Sequence, residues 1–175
     1  MAWQYSVLVV ANVTADAPEL LQALDERAGR DTCQFTLLVP APAGGKAGRE
    51  AAGARLDAAL EKMRERRLEV EGQIGDQDPI IAVHEMWDPK RFDEIVVSTL
   101  PTGSSKWLQV DLPRRVEKMT GVQVQHVVCP PPAPQPRAEP VPKRERYGIL
   151  TPFAALAGGA RRRRARRARE RATAR

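Results

Sequence analysis

The sequence predicts an α/β fold in which helices cover both faces of a parallel β-sheet. Two observations lead to this prediction. As far as about residue 129, short apolar runs of strand length alternate with longer segments in which apolar residues repeat at helical spacing. The apolar runs at 5–12 and 93–100 are nearly continuous, which is typical of strands buried on both faces. Strand–helix–strand units of this kind form right-handed crossovers between parallel strands.

Five strands and four helices are expected in strict alternation. The expected strands cover residues 5–12, 33–41, 68–76, 93–100 and 122–128. The expected helices cover residues 16–29, 49–67, 78–91 and 111–121. The third strand, LEVEGQIGD, alternates apolar with polar residues, which suits the edge of a sheet.

Capping residues and apolar faces support the helices. Asp16, Asp78 and Asp111 are candidate N-caps. Gly29 and Gly121 stand where the first and fourth helices should end. Residues expected to face the core are Leu20, Leu21 and Leu24 in the first helix, Leu56, Leu60 and Met63 in the second, and Ile80, Val83 or His84, and Trp87 in the third.

Charge divides the chain into unlike parts. Residues 143–175 carry a net charge of +10, which leaves −4 on residues 1–142 out of +6 in all. Between the two parts, residues 130–142 contain 7 prolines in 13 positions, which predicts an extended, semi-rigid spacer. We therefore expect an α/β domain at 1–129, a proline-rich linker at 130–142 and a basic, largely disordered tail at 143–175.

The tail is dense in arginine and has three interpretations. Its density favours binding to a polyanion such as nucleic acid, because arginine pairs bidentately with phosphate. The second interpretation is binding to an anionic membrane surface, since the apolar island from Tyr147 to Leu156 precedes the basic run. The third is a solubilising end with no specific role. The candidate polyanion-binding residues are Arg161, Arg162, Arg163, Arg164, Arg166, Arg167, Arg169 and Arg171.

The strand series and two of its loops resemble the universal stress protein family. The resemblance covers about residues 5–129 and rests on VLVVANVT at the first strand and on STLPTGSSKWLQVDL after the fourth. It implies a Rossmann-like, adenine-nucleotide α-hydrolase-type sheet in the order 3-2-1-4-5. It also implies ATP binding in some members, and frequent dimers.

This sequence lacks most of the residues of that family's nucleotide-binding motif. Asn12 stands where the family has an Asp, while Ser98 and Pro101 occupy its first two glycine positions. Asp111 and Leu112 replace its final Gly-[S/T] pair. Pro101 has no N–H for an anion, and an Asp at the N-cap places a carboxylate where phosphate would lie. We therefore expect a degenerate cleft without a cofactor.

A rearranged ATP site is the alternative for the same cleft. Its residues would be Asn12, Gly103, Ser104, Ser105 and Lys106. Trp107 could cover a ligand there, although a tryptophan in this position more often seals the strand–helix joint.

Neither histidine points to a catalytic or metal site. His84 lacks the second histidine of a zinc-binding helix, so a partly buried helix residue is expected there. His126 lies on the fifth strand, far in sequence from any acidic cluster or pair of cysteine ligands. We expect no metal site and no enzyme activity.

Cysteine usage and the lack of an export signal predict a cytoplasmic protein. No apolar run approaches the length of about 20 residues that spans a bilayer, and the N-terminus lacks a basic export region. In the order 3-2-1-4-5, Cys33 and Cys129 lie on strands about 14 Å apart. A disulfide needs Cα atoms within about 7 Å, so both should be free thiols.

Three functions are open at this stage. The first is a non-catalytic regulatory or interaction module in stress physiology, with a degenerate nucleotide cleft. The second is an adenine-nucleotide-binding protein with a rearranged site, with or without weak hydrolysis. The third is polyanion binding through the tail. For assembly we expect a homodimer through the edge strand from Val122 to Val128, which contains no Pro or Lys to blunt it.

Overall fold

The fold was determined as a computed structural model that describes residues 4–101 and 103–131. The five strands are β1 (Tyr5–Val10), β2 (Cys33–Pro40), β3 (Glu69–Gly75), β4 (Glu94–Thr99) and β5 (Val124–Val128). The helices are α1 (Pro18–Ala28), α2 (Lys46–Glu65), α3 (Pro79–Met86), α4 (Lys106–Gln109) and α5 (Leu112–Thr120). All strand pairs are parallel and the order is β3-β2-β1-β4-β5, which confirms the predicted fold.

Two apolar cores lie on opposite faces of the sheet. Alternate residues of β1 point to opposite faces, so Val7 and Val9 join one core and Leu8 and Val10 the other. Helices α1 and α2 cover the first core, and α3 and α5 cover the second. The predicted faces of α1 and α2 are correct. Their buried residues include Leu20, Leu21, Leu24, Leu56, Leu60 and Met63.

Helix α3 agrees with its predicted start, but one of its residues is placed differently. The Asp78 side chain accepts a hydrogen bond from the Ile80 amide at 2.8 Å, as an N-cap does. His84 is exposed, so the expectation of a partly buried histidine was wrong. Val83 takes the core position instead, because it lies on the face shared with Ala82 and Met86.

Helix α1 begins without the expected cap. Its N-cap is Ala17, which offers no side-chain acceptor, so the prediction for Asp16 was wrong. Asp16 instead pairs with Lys62 of α2 at 2.6 Å. Pro18 at the first helical position removes one of the amides that a cap would satisfy.

A partly buried ion pair ties three elements together at the N-terminal ends of the central strands. Arg27 of α1 donates to both carboxylate oxygens of Glu94, at 2.8 and 2.6 Å, and to Asp31 at 2.9 Å. Its guanidinium also lies over the Tyr5 ring, 4.8 Å from the centroid. Because Tyr5 opens β1 and Glu94 opens β4, this contact fixes α1 against the two central strands.

Both cysteines are free and buried, as predicted, and burial raises the pKa of each thiol. No helix among the described residues is long and apolar enough to cross a membrane. The predicted tail, with its island and its arginines, lies outside the described residues. Of the predicted linker only Pro130 and Pro131 lie within them.

Candidate functional site

A cleft opens at the carboxyl ends of β1 and β4, where the strand order of the sheet reverses. Open α/β sheets bind ligands at this kind of position. The cavity has a volume of about 240 Å³. Its walls come from the turn after β1, the end of β4 and the loop before α4. The lining residues are Asn12, Val13, Thr14, Ser98, Thr99, Leu100, Ser104, Ser105, Lys106 and Trp107.

Four of the five residues named from the sequence line this cleft: Asn12, Ser104, Ser105 and Lys106. Gly103 is not among the lining residues. It lies in the same turn with a φ of +96°, a left-handed conformation that glycine adopts without steric cost. Glycine at this position therefore shapes the loop and does not itself line the cleft.

The loop before α4 uses its own hydrogen-bond donors internally. The amides of Ser104 and Ser105 both donate to the Pro101 carbonyl, at 3.0 and 3.1 Å. The Ser105 hydroxyl accepts from the Leu108 amide at 3.3 Å and so caps α4. A phosphate-binding loop needs amides that point at the anion. Here these two amides are already satisfied.

The side chain of Asn12 also forms hydrogen bonds within the protein. Its amide nitrogen donates to the Pro40 carbonyl at 3.3 Å, and its oxygen accepts from the Arg55 guanidinium. The side chain thus joins the ends of β1 and β2 to helix α2. Arg55 was missed at the sequence level because it lies 43 residues away and belongs to no motif.

Asp111 does not act as predicted. It is the N-cap residue of α5, but its backbone is left-handed at φ 50° and its side chain makes no capping hydrogen bond. Helix α4 explains the difference: it ends at Gln109, and only its C-cap Val110 separates it from Asp111, whose amide donates to the Leu108 carbonyl at 3.1 Å. The tight α4–α5 junction forces the left-handed conformation, which Asp tolerates better than most residues. The exposed carboxylate does not take the place of phosphate at the helix amides.

Buried hydroxyl groups form the floor of the cleft. The Ser98 hydroxyl donates to the Thr14 hydroxyl at 2.8 Å and lies 3.2 Å from the Cys129 sulfur. On the other face of β4, the Thr99 hydroxyl lies 2.8 Å from Nε2 of His126. Partial burial lowers the pKa of His126, which favours the neutral ring. No sequence signal pointed to these side-chain pairs.

Trp107 occupies the joint between β4 and the helices that follow it. It lines the cleft and also packs against the core formed with α3 and α5. Lys106 next to it is exposed and forms no ion pair with any described residue. Among the described residues it is the only basic side chain that lines this cleft. Within the described residues no cluster of His, Cys, Asp and Glu could hold a metal ion.

Comparison with solved structures identifies the fold. A universal stress protein from Archaeoglobus fulgidus is 15% identical, covers 70% of this chain and 93% of its own, and superposes with a TM-score of 0.53. A structure of the universal stress protein from the same organism in complex with dAMP is 17% identical, with 73% and 99% covered and a TM-score of 0.54. No family model and no curated protein sequence matches the chain. The chain has the fold of the universal stress proteins.

Proposed function

We propose that the domain is a non-catalytic regulatory module of the universal stress type, whose cleft does not hold the triphosphate of ATP. The observation that carries the proposal is the closed loop: the Ser104 and Ser105 amides both donate to Pro101. Binding a triphosphate there would require these bonds to break. It would also leave several negative charges facing a single lining cation, Lys106.

The side chains around the cleft also argue against catalysis. The pair that most resembles a nucleophile and its base is Thr99 with His126, at 2.8 Å. A working pair of this kind needs a third group that orients the base and donors that stabilise the developing anion. No carboxylate of the described residues bonds the His126 ring, and the Ser104 and Ser105 amides of the cleft are occupied by Pro101.

A nucleoside or nucleoside monophosphate is the second candidate ligand. The cavity of about 240 Å³ is small, and its walls of Val13, Leu100 and Trp107 suit a planar base better than a chain of phosphates. Lys106 could meet one phosphate. The complex of a similarly folded protein with dAMP supports this choice.

Two measurements separate these candidates. Purified protein should release no nucleotide on denaturation, as judged by absorbance and anion-exchange chromatography. Saturable calorimetric binding of dAMP that Lys106→Ala weakens would support the second candidate. Copurified ATP at one equivalent would contradict the main proposal. Glu50→Ala, at an exposed position on α2 outside the cleft, is the control for the dAMP titration.

We also propose a cytoplasmic homodimer that pairs through the outer edge of β5. The strand is Val124–Val128, two residues shorter than expected, and it hydrogen-bonds only β4 within the sheet. The Cys129 amide donates to Thr99 of β4, so the alternate amide of Gln125 also faces β4. The outward amides are those of Val124, His126 and Val128.

One of these outward amides is already satisfied, which the sequence did not indicate. Glu117 of α5 accepts from the Val124 amide at 3.0 Å. The outward backbone amides available to a partner strand are therefore those of His126 and Val128. Pairing through this end of the strand would also cover the exposed Val128 side chain.

Two valines of equal exposure, 48%, provide a matched test of the dimer. Val128→Lys places a charge on the proposed interface and should give a monomer. Val110→Lys, at the end of α4, should leave the dimer intact. Light scattering at micromolar concentration measures the mass. A monomeric unmutated chain would rule out the dimer.

A further inference from the structure

The outward face of α5 carries three basic residues. Helix α5 buries Leu112 and Val116 against the sheet. At 100° per residue, Arg114, Arg115 and Lys118 fall within an arc of about 100° on the opposite side, and all three are exposed. We call these three residues the α5 basic face.

Acidic side chains near this face do not neutralise it. None of its residues forms an ion pair with a described residue. Glu117, the only acid within α5, bonds the Val124 amide of β5. Lys62 of α2, by contrast, is paired with Asp16 at 2.6 Å.

Helix stability does not explain this arrangement. Arg114 and Arg115 lie in the first turn of α5, where the free amides create positive potential and acidic residues are favoured. Helix α1 shows the usual pattern, with Glu19 in its first turn and Arg27 in its last. Of the basic face only Lys118, near the C-terminal end, gains from the helix dipole. Such a departure from local preference is expected at functional sites.

We propose that the α5 basic face binds the phosphate backbone of nucleic acid. The described domain belongs to the part of the chain with net charge −4. Its net charge therefore repels a polyanion, and any attraction must come from a local group of basic residues. Arg114 and Lys118 are separated by about 6 Å along the helix axis, a spacing at which both side chains can reach phosphates of one backbone. Arginine also binds phosphate bidentately. No residue of this face lines the cleft, so the inference goes beyond the function proposed above.

The test uses the full chain, duplex DNA of random sequence and two variants with the same change in net charge. The first is Arg114→Glu/Arg115→Glu/Lys118→Glu. The control is Arg30→Glu/Arg64→Glu/Lys90→Glu, which alters three exposed basic residues on other elements that form no ion pair with a described residue. Binding is measured over a range of salt concentrations by fluorescence anisotropy.

Loss of three phosphate contacts should reduce the slope of log affinity against log salt by about 2.7 in the α5 variant, and by much less in the control. An Arg114→Gln/Arg115→Gln/Lys118→Gln variant should give the same reduction, and it provides the test if charge reversal unfolds the domain. Equal reductions in the α5 and control variants, or no reduction in either α5 variant, would overturn the proposal. So would intact DNA binding with selective loss of binding to phosphatidylserine vesicles, because the face would then contact membranes.

Discussion

Replacing Arg27 by Met should destabilise the domain more than any change to a surface ion pair. The Arg27 side chain is only 10% exposed and makes two hydrogen bonds to Glu94. Breaking a fully buried pair costs about 3–5 kcal/mol. Glu94 is 35% exposed and regains some hydration, so we expect a loss of roughly 2–4 kcal/mol here. Met keeps the length of the apolar stem, so the change removes mainly the guanidinium and its contacts with Glu94, Asp31 and Tyr5.

The expected loss of unfolding free energy corresponds to a shift in melting temperature. At about 2.1 cal/mol/K per residue, a domain of about 125 residues has an unfolding entropy near 0.27 kcal/mol/K, so the midpoint should fall by roughly 7–15 °C. Thermal denaturation followed by circular dichroism measures it. Arg66→Met is the control, because Arg66 is 42% exposed where it pairs with Asp25 and should contribute less than about 1 kcal/mol. Equal shifts in the two variants would refute this reasoning.

Two further predictions concern His126 and the tail. The pKa of His126 is lower in the folded protein than its usual 6.5, so the unfolded chain binds more protons as the pH falls below 6.5 and stability is lost there. Melting temperatures between pH 5 and 7.5 should therefore drop less in His126→Gln than in the unmutated chain, with His84→Gln as control, and equal drops would contradict this. Removing residues 143–175 should sharply weaken DNA binding. It should also lower the slope of log affinity against log salt by about 0.9 per lost phosphate contact. Identical binding with and without the tail would show that the tail does not determine DNA binding.

The sheet could be predicted well because a strand buried on both faces appears in the sequence as a nearly continuous apolar run. The continuous apolar runs of β1 and β4 and the helical spacing of Leu56, Leu60 and Met63 follow from which faces are buried. Apart from His84, whose exposure on α3 was not expected, the errors lie at helix ends. Helix α4 has only four residues, too few to show a periodic pattern, and its presence changed the backbone of Asp111.

The cleft was predictable in place but not in its hydrogen bonding. The parallel sheet brings Asn12 and the loop after β4 together, which the order of elements already implied. The contact of Asn12 with Arg55 and the closure of the loop on Pro101 depend on tertiary packing. The sequence indicated that Pro101 lacks an N–H. It did not show that its carbonyl would take the amides of the two serines that follow.

Calorimetric titration of the full chain with magnesium ATP tests the central claim most directly. We predict no saturable binding at millimolar nucleotide, since the Ser104 and Ser105 amides are satisfied by Pro101 and, of the described residues, one lysine lines the cleft. Pro101→Gly/Asp111→Gly, which adds an N–H at position 101 and gives both turns the backbone freedom of glycine, should bind ATP more tightly than the unmutated chain does. A dissociation constant at or below about 10 μM for the unmutated chain, roughly −7 kcal/mol, would contradict the account.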